Sequence, residues 1–161
     1  MPASKKPRHK HNPKKTTGKR TLRTQPWKTA AVYRPLEAIL DELETEGTLT
    51  VTVRGPHAGK PVFQIDGDPT WHVAAPALRG VIETMEIHEQ RTGRKLPLEP
   101  LRRLATKFEV DMPIFPEDTK AARAAMDALI QESHTFPRDY AADLVQVTQT
   151  AVAFEKLKEA A

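Results

Sequence analysis

Residues 48–65 read TLTVTVRGPHAGKPVFQI, and they decide the fold class. Leu49, Val51 and Val53 alternate with Thr48, Thr50 and Thr52 in a β-branched run, which predicts a strand over 48–53. The cluster RGPHAGK at 54–60 is turn chemistry, and PVFQI at 61–65 is a second strand. Asp66-Gly67-Asp68-Pro69 ends that strand, and Trp71-His72-Val73 offers a short third. Two strands alone are marginal in water, so this sheet needs a helical cover.

Helical patterns flank the sheet on both sides. Before it, Leu36, Ile39, Leu40 and Leu43 recur at helical spacing over 37–46. Pro35 suits a first turn there, and Gly47 suits a stop. After it, a helix over 76–90 carries Leu78, Val81, Ile82 and Met85 on one face. A third, over 97–108, gathers Leu101, Leu104, Ala105 and Phe108. Residues 110–115 contain Pro113 and precede Pro116, so they should run extended. A fourth helix spans 116–132, with Ala122, Ala125, Met126, Leu129 and Ile130 as its stripe. From Pro137 a fifth begins, where Tyr140, Leu144, Val147, Ala151 and Phe154 repeat at four-three spacing. A core-facing stripe is the expected use of that face. The expected architecture is α+β, mostly α: about five helices around a small antiparallel hairpin or meander, preceded by a disordered basic arm.

Charge divides the chain. Residues 1–34 hold eleven Lys and Arg and no acid, whereas 35–161 hold 14 basic and 21 acidic groups. A net charge of +4 thus separates into +11 on an arm, 1–34, and −7 on a single globular domain, 35–161. Pro2, Pro7, Pro13, Pro26 and Gly18 oppose helix in the arm. It has too little apolar surface to offset its ordering entropy, so disorder in isolation is expected, with an end-to-end span of roughly 30 Å. Lys5, Lys6, Arg8, Lys10, Lys14, Lys15, Lys19, Arg20 and Arg23 are dense enough to follow a polyanion and release its counterions. Thr16, Thr17, Thr21 and Thr24 add phosphate donors, and Trp27 is expected to anchor the root of the arm on the body. Lys5-Lys6-Pro7-Arg8 also fits a nuclear localisation signal.

Residues 5–15, KKPRHKHNPKK, resemble the Lys/Arg/Pro-rich leader of small uncharacterised phage and prophage proteins. His11 and Asn12 stand where those leaders carry Tyr and Arg. The resemblance implies a phage or bacterial context and carries no site residue with it.

Motifs for chemistry are incomplete. There is no cysteine, which excludes disulfides and thiolate chemistry. Gly55 and Gly59 enclose three residues rather than the four of a phosphate-binding loop, and Pro61 follows Lys60 where Ser or Thr is needed. Asp66-Gly67-Asp68 starts like a calcium loop, but Trp71 and Ala77 occupy the Gly and Glu positions. The only serines are Ser4 and Ser133, and no nucleophile elbow surrounds either. His57, His72, His88 and His134 are scattered singly, though two histidines and a carboxylate could meet in space, for example His57, His72 and Asp66 around the hairpin. Asp139 and Asp143 read as a helix face. No catalytic residue, metal ligand or cofactor is expected. No apolar run is long enough to span a bilayer, and a cytoplasmic setting is expected.

The expected function is therefore non-enzymatic. The arm binds DNA or RNA phosphates without sequence specificity, while the body docks a protein partner or a second copy. Candidate contacts on the body are the acidic Asp41, Glu42 and Glu44, and the stripe Tyr140, Leu144, Val147 and Phe154. The alternative is a pure protein-interaction module, such as a phage-encoded modulator of a host protein, with no nucleic-acid role.

Overall fold

The computed structural model describes residues 23 and 25–160, with the side chain of Trp27 outside them. Lys5, Lys6, Arg8, Lys10, Lys14, Lys15, Lys19 and Arg20 lie outside the described residues, as do the resemblance over 5–15 and, over 1–22, the disorder expected of the arm. Five helices and a three-stranded antiparallel sheet make up the described fold, which is α+β and mostly α.

Helix α1 (Pro26–Glu46) starts eleven residues before the expected 37 and runs through Pro35. Tyr33 and Thr29 are buried, so residues 26–34 are helical body rather than arm. An internal proline costs a helix about 3 kcal/mol. Pro35 leaves the Ala31 carbonyl without its helical donor, but Ala31 is exposed and solvent can supply one. Burial of the Tyr33 ring outweighs the remainder. Leu36, Ile39, Leu40 and Leu43 are buried, as their spacing predicts. Gly47 ends the helix at φ 75°, where its N–H donates to the Leu43 carbonyl at 2.9 Å.

Strands β1 (Thr50–Val51), β2 (Pro61–Phe63) and β3 (His72–Val73) pair in chain order. Thr50 faces Val62, and Phe63 faces His72. The first strand is shorter than the six residues its alternation predicts. Leu49 is buried, but Val51 is 50 % and Val53 87 % exposed, so the core covers only the start of that face. Pro61 has no N–H for the ladder. The Thr52 hydroxyl donates to the His57 carbonyl at 2.9 Å, which draws the chain into the turn.

Helices α2 (Ala74–Thr92), α3 (Glu99–Glu109), α4 (Pro116–Ser133) and α5 (Arg138–Ala160) complete the order. Helix α3 packs on α2 and α4, α4 packs on α1, and α5 packs on α2. Phe63 joins the helical core from the sheet, which supplies the cover the strands need. Between α3 and α4, Asp118 accepts from the Phe115 N–H at 2.9 Å and pairs with Lys107. Only the first half of α5 enters the core: Leu144 and Thr148 are buried, while residues 149–160 are all exposed.

Candidate functional site

The corner where the arm meets the body is built from three segments. Arg23 forms an isolated antiparallel bridge with Pro137, so the chain leaving the arm crosses the start of α5. Arg138 opens α5, and Lys28 lies in the first turn of α1. Arg23 and Arg138 are exposed and Lys28 is half-buried. Both helices begin here, so the positive ends of their dipoles add to these side chains, offset in part by Asp139. Of the nine predicted nucleic-acid contacts, Arg23 is the one within the described residues, and it sits at this corner.

Behind it lies a cavity of about 430 Å³ between α1, α2 and α5. Its walls are largely apolar, including Val32, Val81, Met85, Phe136 and Val145. Lys28 and Arg138 are the charged residues among its described lining. Tyr33 and Ser133 close the floor, with 2.8 Å between the Tyr33 Oη and Ser133 Oγ. The Tyr33 hydroxyl also lies 3.3 Å from the Leu129 carbonyl and 3.6 Å from the Met85 sulfur.

Burial pushes the Tyr33 phenol up to about 12 from 10.0, against the opposing effect of the Ser133 bond. The unfolded chain releases this proton near pH 10, while the folded chain keeps it. Stability is therefore fully present below about pH 10 and falls between about 10 and 12, by about 2–3 kcal/mol from this group. Tyr33→Phe is expected to cost about 1 kcal/mol at neutral pH and to remove that alkaline slope. Urea midpoints at pH 8 and pH 11.5 check this. Curves for the two proteins that stay parallel would contradict it.

The most connected polar cluster lies elsewhere, where α2, α4 and α5 meet. His88 is 4 % exposed. Its Nε2 lies 3.0 Å from Glu132 Oε1, and its Nδ1 lies 2.6 Å from the Tyr140 hydroxyl. The carboxylate only accepts, so Nε2 holds a proton, and in the neutral ring Nδ1 accepts from Tyr140. Arg94 reaches the same Glu132 oxygen at 2.9 Å. Phe136 packs on His88 with ring centroids 4.5 Å apart, and Arg91 stands over the Tyr140 ring while pairing with Asp143 at 2.6 Å. A carboxylate–histidine–hydroxyl series could relay a proton. Burial, however, raises the Tyr140 phenol, with Arg91 opposing, which is the wrong direction for a nucleophile. The cluster ties three helices together.

The predicted partner contacts separate into engaged and open groups. Arg123 on α4 clasps Asp41 at 2.6 Å and Glu44 at 2.9 Å. Those two bonds, Glu44 first, push the guanidinium pKa up. Glu42 accepts from the Thr50 backbone N–H at 2.9 Å and from its hydroxyl. The acidic side of α1 is thus a seam between α1, α4 and β1, and reversing its charge would disturb the fold as well as any partner. Leu144 is buried, and Tyr140 is bonded to His88. Val147 is half-buried, and Phe154 is 61 % exposed. Leu157, which spacing from Tyr140 did not single out, is 67 % exposed nearby on the same helix.

The remaining motifs resolve into local structure. Residues 54–60 form the turn between β1 and β2. His72 pairs with Asp68 at 3.1 Å rather than meeting Asp66 and His57. Thr70 donors, with His72, hold the Asp68 carboxyl down to about 2. Among the described residues no group of three His, Cys, Asp or Glu is placed to hold a metal ion. Spacing could have located Tyr33, because Thr29, Tyr33, Leu36 and Leu40 continue the stripe backwards by helical steps. Arg123 and the His88–Tyr140 pair carry no local signal, since their partners lie 79 and 52 residues away. Comparison with protein-family models, curated proteins and solved structures finds no match.

Proposed function

We propose that the chain is a non-enzymatic accessory protein whose basic arm holds DNA or RNA by its phosphates, while the body docks a protein partner. The observation that carries this is the charge boundary: eleven cations and no acid precede Glu37. Two features of the body support it. Arg138 adds a cation of the body at the corner that Arg23 and Lys28 reach. Asp41, Glu44, Glu86, Glu109, Asp118, Glu132 and Asp143 each pair with a cation of the body, which reduces their pull on the arm. Phosphate contacts position without reading sequence. Labelled oligonucleotides of unrelated sequence should therefore bind with affinities within a few-fold of one another at low salt. A strong preference for one sequence, or no binding at 50 mM salt, would refute the reading.

A second reading, a pure protein-interaction module, is favoured by the distal part of α5, where Phe154 and Leu157 project from the body. This surface also serves as the protein contact of the first reading. Phe154→Asp with Leu157→Asp should leave the melting temperature nearly unchanged. Any self-association of the wild type, read as sedimenting mass, should be lost. A dimer that persists in the double variant would remove this face from the interface.

A further inference from the structure

We propose that the cavity between α1, α2 and α5 binds a medium-chain fatty carboxylate, its alkyl chain inside and its carboxylate between Lys28 and Arg138. The proposal is independent of the nucleic-acid reading.

Size is the first argument. A space of about 430 Å³ lies within the range of small-molecule sites, about 300–1,000 Å³. It also lies between helices of a bundle, a common position for such sites. Val32 is 44 % and Val145 37 % exposed, so the wall these two residues form is open to solvent.

The chemistry of the walls selects the body of the ligand. Three of the hydroxyls that line the cavity, those of Tyr33, Ser133 and Thr84, are already engaged. Tyr33 is paired with Ser133, and Thr84 lies 2.8 Å from the Gly80 carbonyl and 3.0 Å from the Thr148 hydroxyl. No buried side-chain nitrogen or oxygen among the described residues lacks a partner. A nucleobase or sugar inside would therefore bury its own polar atoms without matching groups, at a cost that disfavours it. An alkyl chain has no such atoms. Water against these walls finds few partners, and an alkyl chain that displaces it gains by doing so.

The rim selects the head. Lys28 and Arg138 line the cavity, and no carboxylate does so among the described residues. A guanidinium and an ammonium suit a carboxylate, with Arg138 able to bind both oxygens. A neutral alcohol of the same length gains only the apolar part. The ligand class is thus a single-chain monocarboxylate, taken as free acid from solution.

Decanoate, kept below its micelle concentration, is the probe, and the full chain labelled at its Val, Leu and Ile methyls is the receptor. Saturable shifts at Val32, Val81 and Val145 with one-to-one stoichiometry by calorimetry are expected. Decanol should bind about tenfold more weakly. Arg138→Gln and Lys28→Gln should each lower decanoate affinity several-fold and leave decanol unchanged. Val145→Trp fills the cavity from a solvent-facing position and should abolish binding of both. Val32→Trp is the second filling variant, should the first alter the fold as judged by its methyl spectrum. Four results would overturn the proposal. One is no response to decanoate. The second is equal affinity for decanoate and decanol. The third is binding that survives in folded filled variants. The fourth is methyl shifts that answer only to protein concentration or to removal of residues 1–22, which would assign the cavity to a second copy or to the arm.

Discussion

Removing residues 1–22 is expected to lower affinity for a single-stranded oligonucleotide by about 100-fold or more at 50 mM salt, while the body stays folded. The segment carries Lys5, Lys6, Arg8, Lys10, Lys14, Lys15, Lys19 and Arg20, eight of the nine predicted contacts. Each cation that neutralises a phosphate frees a fraction of a counterion, and the entropy of that release drives association. What remains on the body at that corner is Arg23, Lys28 and Arg138, which are too few to hold a strand alone. Stability should change little. The core is formed by residues from Tyr33 to Leu144, within the described chain. Fluorescence anisotropy measures the first effect and thermal melting the second. Retained affinity in the truncated protein would place the binding surface on the body.

Tyr33→Ala is expected to destabilise the protein by about 3–5 kcal/mol, a large fraction of what a domain of this size has. The side chain is 2 % exposed, and its hydroxyl bonds Ser133 across 100 residues of sequence. Truncation loses the packing of the ring and leaves the Ser133 hydroxyl without its partner. It also tests where the arm ends. If residues 26–34 belonged to a loosely attached leader, the substitution would cost less than about 0.5 kcal/mol, as exposed positions do. Denaturant unfolding of the wild type and variant separates these values. Tyr33→Phe keeps the ring and should recover most of the loss.

These residues also show what was legible before the fold was known. Periodicity placed the buried faces of the helices well, because Leu36, Ile39, Leu40, Leu101, Leu104 and Leu129 satisfy a local rule and are buried. The start of α1 was obscured by two local signals, the run of cations and Pro35, which the burial of Tyr33 overrides. The strand over 48–53 was overread for a related reason. Alternation marks which residues share a face, but not how far the helices extend over it, and Val53 lies beyond them. The acidic side of α1 looked like a free surface because Arg123 lies far along the chain. The cavity corner was invisible to spacing altogether, since Lys28, Val81 and Arg138 come from three separate helices.

The central claim is a cationic leader that engages polyanions and is attached to a body with a core of its own. Its most direct test is the dependence of oligonucleotide affinity on salt, from 50 to 200 mM, for the full chain and for the chain lacking residues 1–22. A leader with eight cations on a single strand predicts a log–log slope of about −6 for the full chain and one no steeper than about −2 for the truncated chain, which keeps Arg23, Lys28 and Arg138. Equal slopes in the two proteins would contradict the account.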